Sequence, residues 1–243
     1  MPMDSPDAAE SILHDARVLL VGVGGIGAPA AHALAASGVG TLGLIDPDVV
    51  EVSNLHRQPL YTSRDVGVAK VTAAAERLRP LAPGLVLETW RERFGPRHLS
   101  LLRTFDLVID GTDSIEAKFV VNDVAVAAGV PLIHAAVLGF RVQLLSVLPR
   151  RSACYRCVFE EPPPPGDVPS CEQAGVLGPV AVLAGTLAAA EAIRLAEGNE
   201  AALADRLLTI DIRDGRWRTV PLERNSRCAA CATDETLGRS DAP

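Results

Sequence analysis

The stretch RVLLVGVGGIG, residues 17–27, decides the fold. Arg17 to Val23 is a continuous β-prone apolar run closed by glycine, the pattern of a strand buried on both faces. Gly22-x-Gly24-Gly25-x-Gly27 follows it at once, and Ile26 to Ser37 reads as a helix ending at Gly38. Glycines between a strand and a helix allow a tight turn. They also let backbone amides approach a phosphate at the positive helix end. Thr41 to Ile45 is the next strand and ends at Asp46, 19 residues after Gly27. A carboxylate in that place accepts hydrogen bonds from ribose hydroxyls.

The same alternation continues outward. Gly67 to Leu78 has helical composition and carries Lys70, and Pro80 stops it. Leu85 to Trp90 and Asp106 to Asp110 read as strands, Ile115 to Ala128 as a helix, and Pro131 to Ala135 as a strand. Regular β–α alternation predicts an α/β fold, a Rossmann-like doubly wound parallel sheet with helices on both faces. After Gly139 the pattern changes. Phe140 to Leu148 and Arg206 to Leu222 read as antiparallel strands bracketing a helix over 176–196. Glu160 to Ser170 (EEPPPPGDVPS) is a loop, because four consecutive prolines fit neither a helix nor a central strand. Residues 15–232 are expected to form one domain, with flexible tails at 1–14 and 233–243.

Composition bounds the rest. The chain has 243 residues, 48% apolar, 22% charged and 4% aromatic, which is globular composition. The net charge of −7 argues against general nucleic-acid binding. No basic start followed by an apolar run marks a secretory leader, and the apolar stretch 176–192 contains Glu191, glycine and proline. A cytoplasmic protein with neither nucleic acid nor membrane as partner is expected.

Four of the five cysteines form two C-x-x-C knuckles, Cys154-Tyr-Arg-Cys157 and Cys228-Ala-Ala-Cys231, with 70 residues between them. Each knuckle supplies two corners of a tetrahedron, and two complete a structural zinc site that would staple the C-terminal segment to the body. A redox C-x-x-C beside an unrelated second pair is the alternative. Cys171 stands apart.

The glycine motif alone does not separate NAD from ATP. Asn54, Arg57 and Gln58 follow the second strand closely, and Lys70 comes on the next helix. Hydride transfer has no use for so many cationic and amide groups near phosphates. Cleavage of an α–β phosphate linkage does, because charge builds on the departing pyrophosphate. Surface charge is the bland explanation for Arg57 or Lys70 taken singly. Asp113, just past the DLVID strand, is placed to hold Mg²⁺ against phosphates or to cap the helix starting near Ile115.

Together these motifs resemble the ThiF/MoeB/HesA family, bacterial relatives of the ubiquitin-activating E1 enzymes. GVGGIG at 22–27, Asp46-Pro-Asp48, SNLHRQ at 53–58, Lys70, DGTD at 110–113, CYRC at 154–157, SCEQAGVLGP at 170–179 and RNSRCAAC at 224–231 carry the resemblance, over about 15–232. It implies Mg-ATP-dependent adenylation of the C-terminal Gly-Gly tail of a small ubiquitin-like sulfur-carrier protein, in thiamine, molybdopterin, tRNA-thiolation or cysteine pathways. Asp46 would bind ribose, and Gly22, Gly24, Gly25 and Gly27 would face the nucleotide with Gln58 beside them. Asn54, Arg57 and Lys70 would contact phosphates, with Arg57 and Lys70 stabilising the transition state. Asp113 would hold Mg²⁺ and the four paired cysteines Zn²⁺. Residues 160–175 would form a crossover loop over the active site, with Cys171 as a candidate acyl or sulfur acceptor and Glu172 near it. A homodimer is implied.

Three departures stand out. Family members usually carry an arginine before the first strand that reaches the neighbouring subunit's ATP, yet none of the 16 residues before Arg17 is arginine. Ser114 stands where asparagine is common. No rhodanese segment follows, so a separate sulfur donor, a cysteine desulfurase or a rhodanese, is expected. Two other classes of function remain open at this level: an E1-like scaffold that binds a ubiquitin-like partner without adenylating it, and an NAD-dependent oxidoreductase.

Overall fold

A computed structural model describes residues 13–164, 166–167 and 175–232. The expected tails, apart from Leu13 and His14, lie outside the described residues, as do Cys171 and Glu172. Leu13 is buried, and its carbonyl accepts the Gly40 amide, so the chain is anchored before its first strand.

In chain order the elements are β1 (Arg17–Val21), α1 (Gly27–Ala36), β2 (Thr41–Ile45), α2 (Lys70–Leu78) and β3 (Val86–Trp90). A single-turn α3 (Leu99–Leu102), β4 (Leu107–Asp110), α4 (Ile115–Ala128), β5 (Leu132–Leu138) and β6 (Arg141–Val147) follow. The one-turn α5 (Tyr155–Val158), the long α6 (Gly178–Ala196), β7 (Arg206–Asp211) and β8 (Arg216–Pro221) complete the chain. All eight strands form one sheet in the order β3-β2-β1-β4-β5-β6-β7-β8. The first five are mutually parallel, and β6, β7 and β8 add on antiparallel. The expected α/β sheet, parallel first and antiparallel after, is the one observed.

Side chains of the apolar strands divide by the two-residue period of a sheet. Val18 and Leu20 of β1 join Leu42 and Leu44 of β2 in a core under α1, α2 and α6. Leu19 and Val21 face the other way, into a core with Ile45, Val108, Leu132, α3, α4 and the paired cysteines. Both faces are therefore covered, as a parallel sheet requires.

Several boundaries differ from the sequence reading, each for a local reason. β1 ends at Val21 because Gly22 turns to φ +85°. Gly67 also has positive φ, so α2 begins only at Lys70. β5 continues past Ala135 to Leu138, where it pairs with Arg141 across a tight connection. Val176 bridges to Gly139 and α6 starts at Gly178. The stretch 206–222 is two strands, not one, because Asp214-Gly215 makes a turn with Gly215 at φ +66°.

α6 is the one helix among the described residues long and apolar enough to cross a membrane by length and composition. Here it is a packed element of the core. Val180, Ala181, Ala184, Ala188, Ala189 and Ala192 are buried against the first core. Its buried Glu191 accepts hydrogen bonds from the Ser146 hydroxyl (2.8 Å) and the Leu203 amide (3.0 Å). Small residues let α6 lie close to the start of α1: a Cβ added to Gly185 would stand 2.2 Å from the Ile26 carbonyl oxygen.

That contact makes a test. Gly185→Ala should destabilise the protein by about 1–3 kcal/mol, as overpacking does, despite alanine's better helix propensity. Thermal melting reads it directly. A melting temperature at or above wild type would mean α6 does not pack this tightly.

Candidate nucleotide and metal sites

The strand order reverses between β1 and β4, and ligands of open α/β sheets bind at such a switch point, beyond the carboxyl ends of the strands. Two glycine turns meet there. A Cβ on Gly22 would lie 3.0 Å from the backbone of Gly111, and one on Gly27 would lie 1.9 Å from the Gly22 carbonyl oxygen. α1 thus starts directly behind the turn, and no side chain caps it. Within α1 the Ala28 and Ala30 amides bond the Gly24 and Ile26 carbonyls and Pro29 has none, so the amides facing an anion are those of the turn just before them.

Asp46 is buried at the end of β2 and fixes this turn. Its Oδ2 accepts the Val23 amide at 2.8 Å, and its Oδ1 accepts the Asp48 amide at 2.9 Å. Burial raises its pKa, against the lowering effects of nearby Lys70 and of the two amides. Each oxygen retains a further lone pair for a ribose hydroxyl.

The SNLHRQ segment wraps over the glycines. Gly25 lies under the Arg57 backbone and against Ala181 of α6, and Gly24 lies beside the Gln58 amide nitrogen. A Cβ on Gly178, at the start of α6, would stand 2.4 Å from the His56 carbonyl. Arg57 donates to the Asn54 side-chain oxygen and to the Ser53 carbonyl. Gln58 is buried, and its Oε1 has no hydrogen-bond partner among the described residues. An unpaired buried oxygen is costly, and the nitrogen of the same side-chain amide lies beside the glycine turn. The buried Lys70 ammonium bonds the exposed carboxylate of Asp48 at 2.9 Å.

Asp113 is exposed at the mouth of the same switch point, two residues beyond Gly111. It does not cap the following helix. Ser114 does, accepting the Ala117 amide at 3.1 Å. One exposed carboxylate suits Mg²⁺, which keeps most of its water. Asp46, Asn54, Arg57, Gln58 and Lys70 are therefore grouped around the glycine turn, and Asp113 approaches it from the β4 side.

Two participants escape a reading of the sequence. Tyr61 is buried and donates its hydroxyl to the Val23 carbonyl at 2.6 Å, bracing the glycine turn against the segment before α2. Burial raises its pKa far above the usual tyrosine range, so it stays a donor. The second is a fully buried cluster behind Asp113. Asp110 accepts from Lys118 (3.2 Å), His134 (2.9 Å) and the Thr112 hydroxyl (2.7 Å). Burial alone would raise the Asp110 pKa, but Lys118 and His134 hold it well below the usual carboxylate range. Asp110 is thus the structural strand-end residue its position suggests. Its partners lie 8 and 24 residues away, with no motif to announce them.

On the opposite face of the sheet the four paired cysteines converge. Cys154 Sγ is 3.9 Å from Cys157 and 3.6 Å from Cys228, Cys157 is 3.4 Å from Cys231, and all four sulfurs lie within 4.8 Å of one another. A tetrahedron of thiolates about 2.3 Å from zinc has edges of about 3.8 Å, so the donor set fits a metal of this kind. Burial and the neighbouring thiolates push the Cys154 thiol up, and burial pushes Cys231 up to about 11. Burial would push Cys228 up, but hydrogen bonds from the amides of Cys231 and Ala230 and from the Cys154 and Cys231 side chains together draw it down. Four thiolates this close repel one another until a cation joins them. The Asn225 amide donates to Cys157 Sγ at 3.4 Å, and the Asn122 side chain approaches Cys154 Sγ at 3.9 Å. Such outer bonds orient ligands.

Comparison with known proteins now has a site to refer to. The ThiF family model matches residues 4–230, and the chain belongs to the ThiF family. It is 40% identical, over 97% of its length and 89% of the relative's, to a protein of Thermus thermophilus named sulfur carrier protein adenylyltransferase. It is 39% identical to a Xenopus laevis protein named adenylyltransferase and sulfurtransferase MOCS3, of which it spans about half: 90% of this chain against 49% of that one. Among solved structures, Escherichia coli MccB superposes with a TM-score of 0.83 at 23% identity, over 94% of this chain and 70% of that one. At that identity the likeness establishes the fold alone.

Stripping the metal is the direct test of the cysteine site. Exhaustive chelation, or Cys228→Ser, should lower bound metal from about one ion per chain, read by elemental mass spectrometry. It should also release the segment around Arg224, which contacts the Cys231 carbonyl, to tryptic cleavage. Unchanged metal content in the variant would exclude Cys228 as a ligand.

Proposed function

We propose that this ThiF-family adenylyltransferase uses Mg-ATP to activate the C-terminal Gly-Gly carboxylate of a small ubiquitin-like sulfur-carrier protein. The observation that carries the reading is the convergence of Asp46, the Asn54–Gln58 segment and Lys70 on an uncapped glycine turn at the switch point. The name of the Thermus relative supports the carrier as substrate.

In this reading Asp46 accepts the ribose hydroxyls while it keeps the Val23 and Asp48 amides. The glycine turn before α1 receives the triphosphate with its amides. A carboxylate oxygen of the carrier attacks the α-phosphorus, the bond to the bridging oxygen breaks, and pyrophosphate departs with the electron pair. Arg57 and Lys70 exchange their present partners, Asn54 and Asp48, for phosphate oxygens and neutralise the growing charge. Gln58 offers its unpaired oxygen, and Asn54 its amide, to the nucleotide. Asp113 would hold Mg²⁺, which shields phosphate charge when bound. The four cysteines would hold Zn²⁺ as a structural staple.

A sulfur nucleophile from a separate donor, a cysteine desulfurase or a rhodanese, would then attack the acyl carbon of the adenylate and displace AMP, in a thiamine, molybdopterin or tRNA-thiolation pathway. Cys171, in the segment read as a crossover loop, is the candidate acceptor for a covalent step. Action as a cytoplasmic homodimer completes the proposal.

The test is ATP–pyrophosphate exchange with a panel of Gly-Gly-ending carrier proteins. Wild type should exchange with at least one. Arg57→Ala and Asp113→Ala should each lose about a hundredfold or more in rate, the scale of a removed charge-stabilising contact, while melting as wild type does. Wild-type exchange in both variants would refute these roles. Carrier binding without any exchange by the wild-type protein would instead favour a scaffold.

A further inference from the structure

Lys118 sits at the end of the first turn of α4, and its ammonium is buried. It donates to the Thr112 carbonyl at 2.6 Å, the Ala135 carbonyl at 2.9 Å and Asp110 Oδ2 at 3.2 Å. An ammonium has three protons, so Lys118 has none left for a substrate. Asp110 Oδ1 in turn accepts the Thr112 amide at 3.0 Å and its hydroxyl at 2.7 Å. Thr112 is therefore held at its amide, its hydroxyl and its carbonyl by one buried ion pair. That carbonyl belongs to the peptide group leading into Asp113. On the far side of Asp113, Ser114 is fixed as the cap of α4.

Stability does not account for this arrangement. Removing two charges from water is costly, and a well-packed apolar pair in their place is often at least as stable. What the pair supplies is direction: it fixes one peptide at the edge of the nucleotide site. His134 adds a fourth bond to Asp110 at 2.9 Å and is itself covered by the Tyr155 ring, with centroids 4.4 Å apart. The Asp110 carboxylate cannot rotate without breaking several bonds at once.

We propose that Lys118, anchored by Asp110 and His134, is the positioning residue that presents the Asp113 carboxylate in a single orientation to the magnesium–nucleotide complex. The inference rests on the assignment of Asp113 made under Proposed function.

Calorimetric titration with ATP, in excess Mg²⁺ and separately in EDTA, tests it without relying on turnover. Two variants of the metal-loaded protein are compared with wild type. The double variant Asp110→Asn with Lys118→Met removes both charges and leaves neither stranded. Lys118→Arg keeps the charge but cannot place three protons on the same three oxygens. Wild type should bind ATP more tightly with Mg²⁺. The double variant should lose about ten- to a hundredfold of that magnesium-dependent gain, the usual cost of losing an outer-sphere partner, and bind ATP in EDTA as wild type does. Lys118→Arg should lose less, in the same direction. A role confined to stability would move both titrations together or neither. If the double variant does not fold, Lys118→Arg decides alone. A folded variant with the wild-type magnesium gain overturns the inference. A wild-type protein with no magnesium gain overturns the Asp113 assignment and this inference with it, so the two failures are told apart.

Discussion

The backbone contact between Gly22 and Gly111 is the constraint on which the rest of the molecule depends. At the switch point two chains leave adjacent parallel strands and must part within a few ångströms. A Cβ on either glycine would meet the other's backbone at about van der Waals overlap, 3.0 Å from Gly22 and 2.9 Å from Gly111. Because that space is closed to side chains, the start of α1 can sit directly behind the β1 turn, and the turn beyond β4 can reach the same opening. The third glycine, Gly27, and the Gly185 face of α6 then follow as further close approaches stacked behind the first. The crevice is built of backbone, and backbone amides are what a polyphosphate needs.

Around this backbone frame the charges divide into two kinds. Asp110 and Lys118 are buried and bonded to each other, Lys118 also to two carbonyls and Asp110 also to Thr112 and His134, so the ammonium has no proton to spare for a ligand. Arg57 and Lys70 are held by partners that are cheap to leave, a neutral amide oxygen in one case and a largely solvent-exposed carboxylate in the other. An exposed partner is well solvated when released, so exchange for phosphate costs little. Asp46 stands between the two kinds, engaged with amides yet able to accept more. Lys70 and Lys118 are equally buried, so it is the partner, exposed for one and buried for the other, that separates the group able to exchange from the one that holds the site.

How far the sequence reveals this depends on the distance over which each cause acts. The parallel strands are legible because burial on both faces leaves continuous apolar runs. The glycine turn, Asp46 and the cysteine knuckles are legible because turns and metal geometry impose short spacings. The hairpin within 206–222 was available in the same way, since Asp214-Gly215 is a turn pair, but the apolar pattern on either side hides it. Asp113 and Ser114 compete for one capping position, and only the backbone geometry selects Ser114. The Asp110–Lys118–His134 cluster and Tyr61 leave no local trace. Their partners come from other elements, and nothing at positions 118, 134 or 61 differs from an ordinary helix, strand or loop residue until the sheet brings them together.

The cysteine site belongs to the same frame, although it lies on the other face of the sheet. The backbone amide of Tyr155, inside the first knuckle, donates to the Asn122 side chain of α4 at 2.9 Å. Arg156 forms a two-pronged pair with Asp123 of α4, at 2.7 and 2.8 Å. The Tyr155 ring lies against both His134 and Phe119. α4 is therefore clamped at two levels, by the knuckle near its middle and by Lys118 near its start. A helix fixed at both levels cannot slide along the sheet, and its first residues, including the Ser114 cap, keep their place beside the nucleotide crevice. The second knuckle extends this hold to the chain after β8, a strand exposed at all six positions. The four-cysteine cluster thereby helps to fix the helix that the Thr112–Ser114 turn leads into.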